Sequence, residues 1–324
     1  MNILNYIPDK KAVIITDDNV REIYGDEFPS FPVLSIAPGE ESKNLNTIED
    51  LAGKLLEIGL DRSGFILAIG GGVVCDIAGF LASVYMRGIP FGFISSSLLS
   101  QVDASVGGKN GVNIGMVKNV IGNFNQPEFV ICDPLMLQSL AEDEYLSGLS
   151  ELIKMGAIMD NHLLHDIENN REAILKRDTS LLESMVTKSV RLKASVVAAD
   201  ERESGIRMIL NFGHTFGHII ETLGNQKHGF AVASGMVIAA GISEQEGLLS
   251  LKELTQLVDL LKYFDLLRKF HIPAAKFGEM ISKDKKKRGD EISFVLLDAL
   301  GKAVVRNLKV EKLANDYNMI YHLL

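Results

Sequence analysis

The first 133 residues alternate short β-rich segments with segments of helical periodicity, and this alternation limits the folds that the chain can adopt. Helical patterns near residues 44–58 and 73–86 separate β-rich segments. Those segments are KAVIITD (11–17), FILAIG (65–70), FGFIS (91–95) and FVICD (129–133). Strands joined through helices of this length lie parallel in one sheet, because each connection crosses over the sheet. The sequence therefore predicts a parallel α/β sheet in this region.

The second half of the chain has a different pattern, with long amphipathic helical segments and few β-branched runs. These segments are 143–159, 179–199, 214–223 and 231–247. Two β-like runs within 292–310 flank Leu300 and Gly301 and predict one hairpin. The predicted fold is an α/β, Rossmann-like N-terminal domain (1–141) followed by a mostly α-helical C-terminal domain (142–324). No Pro-rich linker separates them, so we expect the halves to pack directly, with a ligand site in the cleft.

Charge and cysteine content exclude several classes of protein. The formal net charge is −9, which disfavours general binding to nucleic acid or to acidic membranes, since polyanions are held mainly by Lys and Arg. The two cysteines, Cys75 and Cys132, lie in apolar stretches and predict buried reduced thiols instead of a disulfide framework. The sequence has no signal-peptide pattern and no apolar run near the roughly 20 residues of a membrane helix. We therefore expect a cytoplasmic protein.

A glycine turn follows the second β-rich segment. Gly70, Gly71 and Gly72 end the apolar run and begin a helix, so backbone amides and the positive helix end can approach an anionic pyrophosphate. The motif is not GxGxxG, and a tight connection without a ligand is an equally good interpretation. Asp76, one turn into the helix, is interpreted either as an acceptor for a ligand hydroxyl or as a helix cap.

The segment 95–127 is rich in Ser, Gly, Asn and Lys and is longer than an ordinary connection. Connections beyond roughly 12–15 residues without regular structure are typical of functional or disordered segments, and the spaced Val, Ile and Leu argue against disorder. Lys109 follows two glycines and Lys118 precedes Asn119, an arrangement suited to holding an anion. The alternative is a pair of solvated lysines.

Three of the seven histidines fall within fifteen residues. On a helix, His214 and His218 lie one turn apart on one face, and His228 follows a short Gly-containing turn. If another helix brings Glu151 to them, imidazole and carboxylate ligands are available for a catalytic Zn²⁺ ion. The spacing alone predicts that His214 and His218 are both ligands, by analogy with the i, i+4 pair of zinc-binding helices.

Six segments, in order along the chain, resemble the 3-dehydroquinate synthase family. They are GGGVVCDIAGFLASVYMRG, QVDASVGGKNGVN, KNVIGNFNQP, SELIKMG, RMILNFGHTFGHIIE and HGFAVASGM. The resemblance covers nearly the whole chain and implies an NAD-binding α/β domain, a helical metal- and substrate-binding domain, one Zn²⁺ or Co²⁺ ion, and a homodimer. The implied activity is that of a phosphate-eliminating lyase, which converts the sugar acid phosphate 3-deoxy-D-arabino-heptulosonate 7-phosphate into 3-dehydroquinate in the shikimate pathway of aromatic amino acid biosynthesis.

The resemblance also implies residue roles. It makes Glu151, His214 and His228 the metal ligands, so that His218 is catalytic instead. Arg87 of YMRG resembles the arginine that reaches the substrate phosphate across the dimer interface, and Lys285 or a neighbour within 284–288 would join it unless that run is a solvated charge cluster. The other implied catalytic and substrate residues are Lys154, Lys109, Asp103, Lys193, Arg207 and Asn211. The implied NAD contacts are Asp17, Asn19, Glu40, Lys43, Gly71, Gly72, Asp76, Ser96, Ser97, Lys109, Lys118 and Asn119.

Three positions depart from the family pattern. Cys75 stands where Gly is frequent, and Ser96 and Ser97 replace a Thr pair, a change that keeps the hydroxyl donors and acceptors. Phe230 stands where Glu is usual, which removes a carboxylate near a metal ligand. Such outer partners are worth roughly 10–100-fold in affinity or activity, so we expect metal affinity to be the property affected.

Three other functions are consistent with parts of this pattern. A related sugar phosphate cyclase would share the NAD and metal sites, although Lys154, Lys193, Arg207 and Asn211 together favour dehydroquinate formation. A metal-dependent alcohol or glycerol dehydrogenase would accumulate NADH during turnover. A non-catalytic ligand-binding or scaffold protein with the same fold would not bind metal.

Overall fold

A computed structural model of the chain describes residues 3–7, 11–115, 117–270, 272–282, 287–320 and 323–324. The chain divides into two compact units, Met1–Ala141 and Glu142–Leu324. No helix among the described residues combines the length and the apolar character needed to cross a membrane.

Five parallel strands form the main sheet of the first unit. The strands of this unit are β1 (Ala12–Asp17), β2 (Val33–Ile36), β3 (Phe65–Gly70), β4 (Phe91–Ser95), β5 (Lys109–Ile114), β6 (Val117–Phe124) and β7 (Val130–Cys132). Its helices are α1 (Asp18–Tyr24), α2 (Leu45–Ile58) and α3 (Gly72–Val84). The strand order in the main sheet is β2-β1-β3-β4-β7, with every pair parallel. All four predicted strands and both predicted helices are confirmed, whereas β2 and α1 were not predicted.

The central strands are continuous apolar runs in the sequence, because buried residues cover both faces of the sheet. Val13 and Ile66 point into one buried cluster that includes Leu51 of α2 and Leu81 of α3. Ile14 and Leu67 point into a second cluster on the opposite face. The side chains of β1 thus alternate between two cores. The strand ends at Asp17, where the carboxyl ends of the parallel strands lie.

The segment 95–127 has regular structure, so its interpretation as a long irregular connection is wrong. It contains a π-helical turn at Ser100–Ala104 and the antiparallel strands β5 and β6. Gly111 and Gly122 are directly paired, and a Cβ atom on Gly111 would lie 2.7 Å from the Ile121 carbonyl oxygen. The glycines that resemble loop residues in the sequence are therefore required by the close approach of two strands.

Helices dominate the second unit. They are α4 (Glu142–Met159), α5 (Asn161–Asn169), α6 (Arg171–Leu175), α7 (Thr179–Ala199), α8 (His214–Gly224), α9 (His228–Gln245), α10 (Leu251–Tyr263), α11 (Ala274–Ser282) and α12 (Val310–Ile320). Strands β8 (Lys287–Arg288), β9 (Glu291–Ala299) and β10 (Lys302–Lys309) form an antiparallel sheet. The predicted hairpin is confirmed as β9 and β10. Helix α9 is buried from Gly229 to Ser243 and packs against α4, α8, α10 and β9, which makes it the centre of this unit.

Candidate active site

Three helices of the second unit bring Glu151, His214 and His228 together. Glu151 is fully buried in the middle of α4, whereas the two histidines are the first residues of α8 and α9. The Nε2 atom of His228 lies 3.2 Å from Glu151 Oε1, and His214 Nε2 lies 3.7 Å from the same oxygen. One ligand atom from each residue lies within 4.8 Å of the others. Two imidazoles and one carboxylate form the donor set that is typical of a catalytic zinc ion with one open position.

The packing of α9 on α4 positions this group. The Gly229 backbone N–H donates to Ser147 Oγ at 3.0 Å, and a Cβ atom on Gly229 would lie 2.0 Å from the Ser147 carbonyl oxygen. Because Ser147 is one helical turn before Glu151, the first turn of α9 lies directly beside the carboxylate. His214 Nδ1 lies 3.2 Å from the Phe212 carbonyl oxygen. This contact orients the ring so that Nε2 faces Glu151.

The buried carboxylate of Glu151 is surrounded by cationic groups. Lys154, three residues later on α4 and also buried, forms an ion pair with it. Glu221 of α8 lies on the other side of His228, with Oε2 at 3.3 Å from Nδ1. Burial disfavours the charged imidazole and is the largest single influence on the pKa of His228, but the hydrogen bonds and charges of Glu151 and Glu221 outweigh it and raise this pKa to about 10. The site therefore attracts positive charge strongly.

His218 is exposed on α8, with its ring centroid 5.3 Å from that of His214 and 6.3 Å from that of His228. Among the described residues, the candidate ligand groups are Glu151 with His214 and His228, and His218 with Glu221 and His228. The geometry does not pair His214 with His218, as their spacing alone suggests. His218 instead lies at the rim of the first group.

A loop at 200–207 carries the buried Arg207. The Asp200 carboxylate accepts hydrogen bonds from the backbone N–H groups of Ser204, Gly205 and Arg207, at 2.9, 2.7 and 3.1 Å. The N–H of Ser204 contributes most to lowering the pKa of Asp200 to about 2; partial desolvation opposes this, and the N–H groups of Gly205 and Arg207 add to it. The Arg207 guanidinium donates to the Glu201 carbonyl oxygen. The loop is thus folded around one carboxylate.

Asn211 lies beside Glu203, which the sequence analysis did not single out. The Asn211 amide donates to the Glu203 carboxylate and, at 3.2 Å, to the Met208 carbonyl oxygen. These residues line a cavity of about 240 Å³. Lys193, another predicted substrate residue of this unit, is buried on α7. Lys285, which belongs to the same unit, lies outside the described residues.

In the first unit, β3 leads into the predicted dinucleotide turn, and β4 ends beside it. Gly70 is in register with Ser95 on the neighbouring parallel strand, and ligands of open α/β sheets bind at such carboxyl ends. Gly71 caps α3 without a side-chain hydrogen bond, and a Cβ atom there would lie 3.2 Å from Ser97 Oγ. The turn therefore has little room for a side chain, as a close approach to pyrophosphate requires.

Asn113 contacts three predicted NAD-binding residues and was itself not predicted. Its side-chain amide donates to Glu40 Oε1, its Oδ1 accepts from the Asn119 N–H, and its own N–H donates to the Lys43 carbonyl oxygen, each at 2.8 Å. Buried Lys43 in turn forms an ion pair with half-buried Asp76. The N-cap of α3 is Gly71, so this aspartate is not a helix cap. The β5–β6 hairpin thereby holds the 40–43 segment in place.

The other predicted residues of the first unit occupy several elements. Asp17 caps α1 by accepting from the Val20 N–H at 3.0 Å, and Asn19 lies in α1. Ser96 and Ser97 follow β4, Asp103 lies in the π-helical turn, Lys109 begins β5, Lys118 lies on β6, and Arg87 follows α3. Joint contact of Asp103, Lys109 and Arg87 with the substrate stays a prediction.

Both cysteines are free thiols. Cys75 is fully buried and Cys132 is half-buried. Burial raises the pKa of Cys132 to about 12 and that of Cys75 further still. Neither residue therefore has the lowered pKa that a nucleophilic cysteine needs.

Comparison with protein-family models gives two adjacent matches. The N-terminal model of 3-dehydroquinate synthase matches residues 33–147, and the C-terminal model matches residues 148–287. The chain belongs to the 3-dehydroquinate synthase family.

Individual members of this family align with much of the chain. The 3-dehydroquinate synthase of Koribacter versatilis is 42% identical over 307 residues, which cover 91% of this chain and 84% of that protein. The 3-dehydroquinate synthase of Geotalea uraniireducens is 49% identical over 206 residues, which cover 63% of this chain and 57% of that protein.

Solved structures with the same fold include sugar phosphate cyclases. The 2-epi-5-epi-valiolone synthase of Streptomyces hygroscopicus subsp. jinggangensis 5008, with NAD⁺ and Zn²⁺ bound, has a TM-score of 0.89 at 24% identity and covers 98% of this chain and 94% of that chain. A 2-deoxy-scyllo-inosose synthase, complexed with carbaglucose-6-phosphate, NAD⁺ and Co²⁺, has a TM-score of 0.84 at 25% identity. The match covers 98% of this chain and 93% of that chain. The predicted fold class is confirmed.

Of the residues that the sequence analysis missed, only Glu221 could have been found from its spacing in the sequence. Glu221 follows His214 by seven residues and His218 by three, so helical periodicity places all three on one face of α8. No regular spacing indicates Asn113 or Glu203, because the residues that they contact are not separated from them by a helical or strand period.

Proposed function

We propose that this chain is a 3-dehydroquinate synthase, which converts 3-deoxy-D-arabino-heptulosonate 7-phosphate into 3-dehydroquinate and phosphate. Matches to the family in both halves of the chain support this activity. The single observation that supports a metal-dependent reaction is the grouping of Glu151, His214 and His228, whose ligand atoms lie close together. The enzyme would be a carbon–oxygen lyase that depends on NAD and a metal ion, and its reaction would belong to the shikimate pathway.

The residues present suit both cofactors. Glu151, His214 and His228 would hold Zn²⁺ or Co²⁺, since both ions accept imidazole and carboxylate ligands. The turn at Gly71 and Gly72 would take the pyrophosphate of NAD, with the other implied NAD contacts around it. When bound, the metal supplies Lewis-acid polarisation of substrate oxygens, and NAD supplies a transient oxidation of a substrate hydroxyl.

The chain's own residues would bind and orient a flexible sugar acid. Lys154 forms an ion pair with the proposed ligand Glu151, so its ammonium would donate to a substrate hydroxyl or carboxylate bound beside the metal. Buried Lys193 and Arg207 would pair with anionic substrate groups and keep them in a reactive orientation. Exposed His218, at the rim of the metal group, would exchange a proton with the substrate through its imidazole.

We assign Arg87 to the substrate phosphate of a partner subunit in a homodimer. Met86 and Arg87 both have left-handed backbone conformations, with φ of 51° and 69°. Such conformations cost of order 1 kcal/mol each and cluster at functional sites, which supports a role for this turn. A cytoplasmic location is part of the proposal, and the two free thiols agree with a reducing compartment.

One assay tests the proposed function against its alternatives. Purified protein is incubated with the heptulosonate phosphate, catalytic NAD and Zn²⁺, while phosphate release and dehydroquinate absorbance are followed. We expect many turnovers per NAD, no accumulation of NADH, and loss of activity in His214→Ala. Stoichiometric NADH would instead indicate a dehydrogenase, turnover only with other sugar phosphates would indicate a related cyclase, and failure to bind metal would indicate a non-catalytic protein.

A further inference from the structure

Glu221 contacts the proposed metal ligand His228 on the side away from the metal group. Its Oε2 lies 3.3 Å from His228 Nδ1, while Nε2 of the same ring faces Glu151 Oε1 at 3.2 Å. The Glu221 side chain is only 9% exposed. The imidazole is therefore placed between two carboxylates, each facing one ring nitrogen.

The sequence analysis predicts an effect on metal affinity, because Phe230 stands where the family usually has Glu and so removes one carboxylate near a metal ligand. In the structure, Phe230 is buried in the first turn of α9, and the Arg268 guanidinium lies 4.7 Å above its ring. A carboxylate nonetheless faces His228 Nδ1, and it comes from α8 instead of α9. The loss expected at position 230 therefore does not leave the imidazole without an acidic partner.

We propose that Glu221 is the positioning residue for His228. By accepting the Nδ1–H, it selects the tautomer whose Nε2 lone pair points into the metal group, and its charge makes that nitrogen a better ligand. This inference rests on the proposed function, because it requires a metal at Glu151, His214 and His228. It makes α8 the source of one ligand, His214, and of the carboxylate that orients a second.

Glu221 has one competing role, as a ligand of a second cation held with His218 and His228. The two roles exclude each other, because a nitrogen that donates its proton to Glu221 cannot also bind a metal through a lone pair. They predict different stoichiometries: one equivalent of metal for a positioning residue, and two for a second site.

The test uses Glu221→Gln in the full chain, with Glu183→Gln, an exposed glutamate on α7, as the matched control. Zinc affinity is measured by competition with a chromophoric chelator, and the cobalt-loaded proteins are compared by their visible absorption spectra. We expect Glu221→Gln to weaken zinc binding by roughly 10–100-fold and to alter the cobalt spectrum, while one equivalent of metal still binds. Glu183→Gln should match the wild type in both measurements.

Several results would overturn the inference, and they separate it from the proposed function. Unchanged zinc affinity and an unchanged cobalt spectrum in Glu221→Gln would refute the positioning role and leave the metal site intact. Two equivalents in the wild type, with one lost in the variant, would make Glu221 a ligand. A wild type that binds no zinc would defeat both proposals. If Glu221→Gln does not fold, as judged by circular dichroism, Glu221→Asp carries the same test, because it keeps the charge but shortens the reach by one methylene.

Discussion

At the scale of single residues, the site depends on how a buried charge is compensated. Glu151 is fully buried on α4, and such a carboxylate is costly unless it is paired and hydrogen-bonded. Lys154, His214 and His228 supply that compensation. A metal ion would provide the same compensation more completely, which explains why an acidic residue is tolerated at the centre of a helical core.

The ligand group and His218 should respond differently to substitution. We expect Glu151→Ala and His214→Ala to lose bound metal, because each removes one of three ligands. His218→Ala should keep near-normal metal content while turnover falls by roughly 10²–10⁴-fold, the usual contribution of a proton-transfer group. Metal analysis after gel filtration, together with the turnover assay, checks both statements. Full metal content in either ligand variant, or metal loss in His218→Ala, would contradict the assignment.

The Asp200 carboxylate holds the backbone of the loop that carries Arg207, so its charge should affect substrate binding. Its pKa is lowered, first by the Ser204 N–H and then by the N–H groups of Gly205 and Arg207, so its stabilising effect exists above the unfolded pKa and is lost as pH falls towards about 2. At neutral pH the carboxylate is fully charged, and Asp200→Asn removes that charge. We expect a higher KM for the sugar acid phosphate with a smaller change in kcat, measured by steady-state kinetics at pH 7. Asp259→Asn, an exposed change on α10, should alter neither constant.

At the scale of elements, close approaches between helices and strands position the site residues. Helix α9 contacts α4 through Gly229, and the β5–β6 hairpin contacts the 40–43 segment through the Asn113 N–H, which donates to the Lys43 carbonyl oxygen. Both contacts involve backbone atoms, which cannot move aside as a flexible side chain can. Substitutions at these positions should therefore affect function through geometry.

Gly229→Ala should separate α9 from α4. The new methyl group would meet the Ser147 carbonyl oxygen at 2.0 Å, so the helix must shift, and overpacking of this kind typically costs about 1–3 kcal/mol. We expect a lower free energy of unfolding in urea and weaker zinc binding. Gly53→Ala, where no atom lies within 4 Å of the added Cβ in α2, should be neutral or stabilising. Equal stability of the two variants would count against the proposed packing role.

Asn113→Ala should weaken binding of NAD. It removes the side-chain bonds to Glu40 and to the Asn119 backbone and leaves only the main-chain bond to Lys43. We expect a several-fold higher Kd for NAD, measured by calorimetry with the metal-loaded protein, and unchanged zinc affinity. Asn123→Ala, on β6 of the same hairpin, serves as the control for hairpin stability. An NAD affinity unaffected by Asn113→Ala would show that the hairpin does not hold the cofactor segment.

At the scale of the whole molecule, metal binding should stabilise the folded chain. The ligands come from residues 151, 214 and 228, so they meet only after the second unit has folded. A ligand that binds only the native state at 100 times its Kd adds about 2.7 kcal/mol to the stability.

Removal of metal should therefore lower the melting temperature. For a chain of 324 residues we expect a decrease of roughly 4 °C after treatment with a chelator, recovered by added Zn²⁺. Differential scanning calorimetry measures the change. Glu151→Ala should melt at the same temperature with and without zinc, and a zinc-dependent increase in that variant would place the metal elsewhere.

The sequence by itself determined the class of fold, because strand and helix periodicities reflect burial on one or both faces of each element. Strands β1, β3, β4 and β7, the long helices and the β9–β10 hairpin were all predicted in this way. The resemblance also selected Glu151, His214 and His228 as a set. Only the tertiary structure decided that β5 and β6 pair through their glycines, that Asn113 holds the 40–43 segment, and that Glu221 faces His228 Nδ1. These contacts join residues with no regular spacing, and they depend on how closely separate elements pack, which local periodicity does not encode.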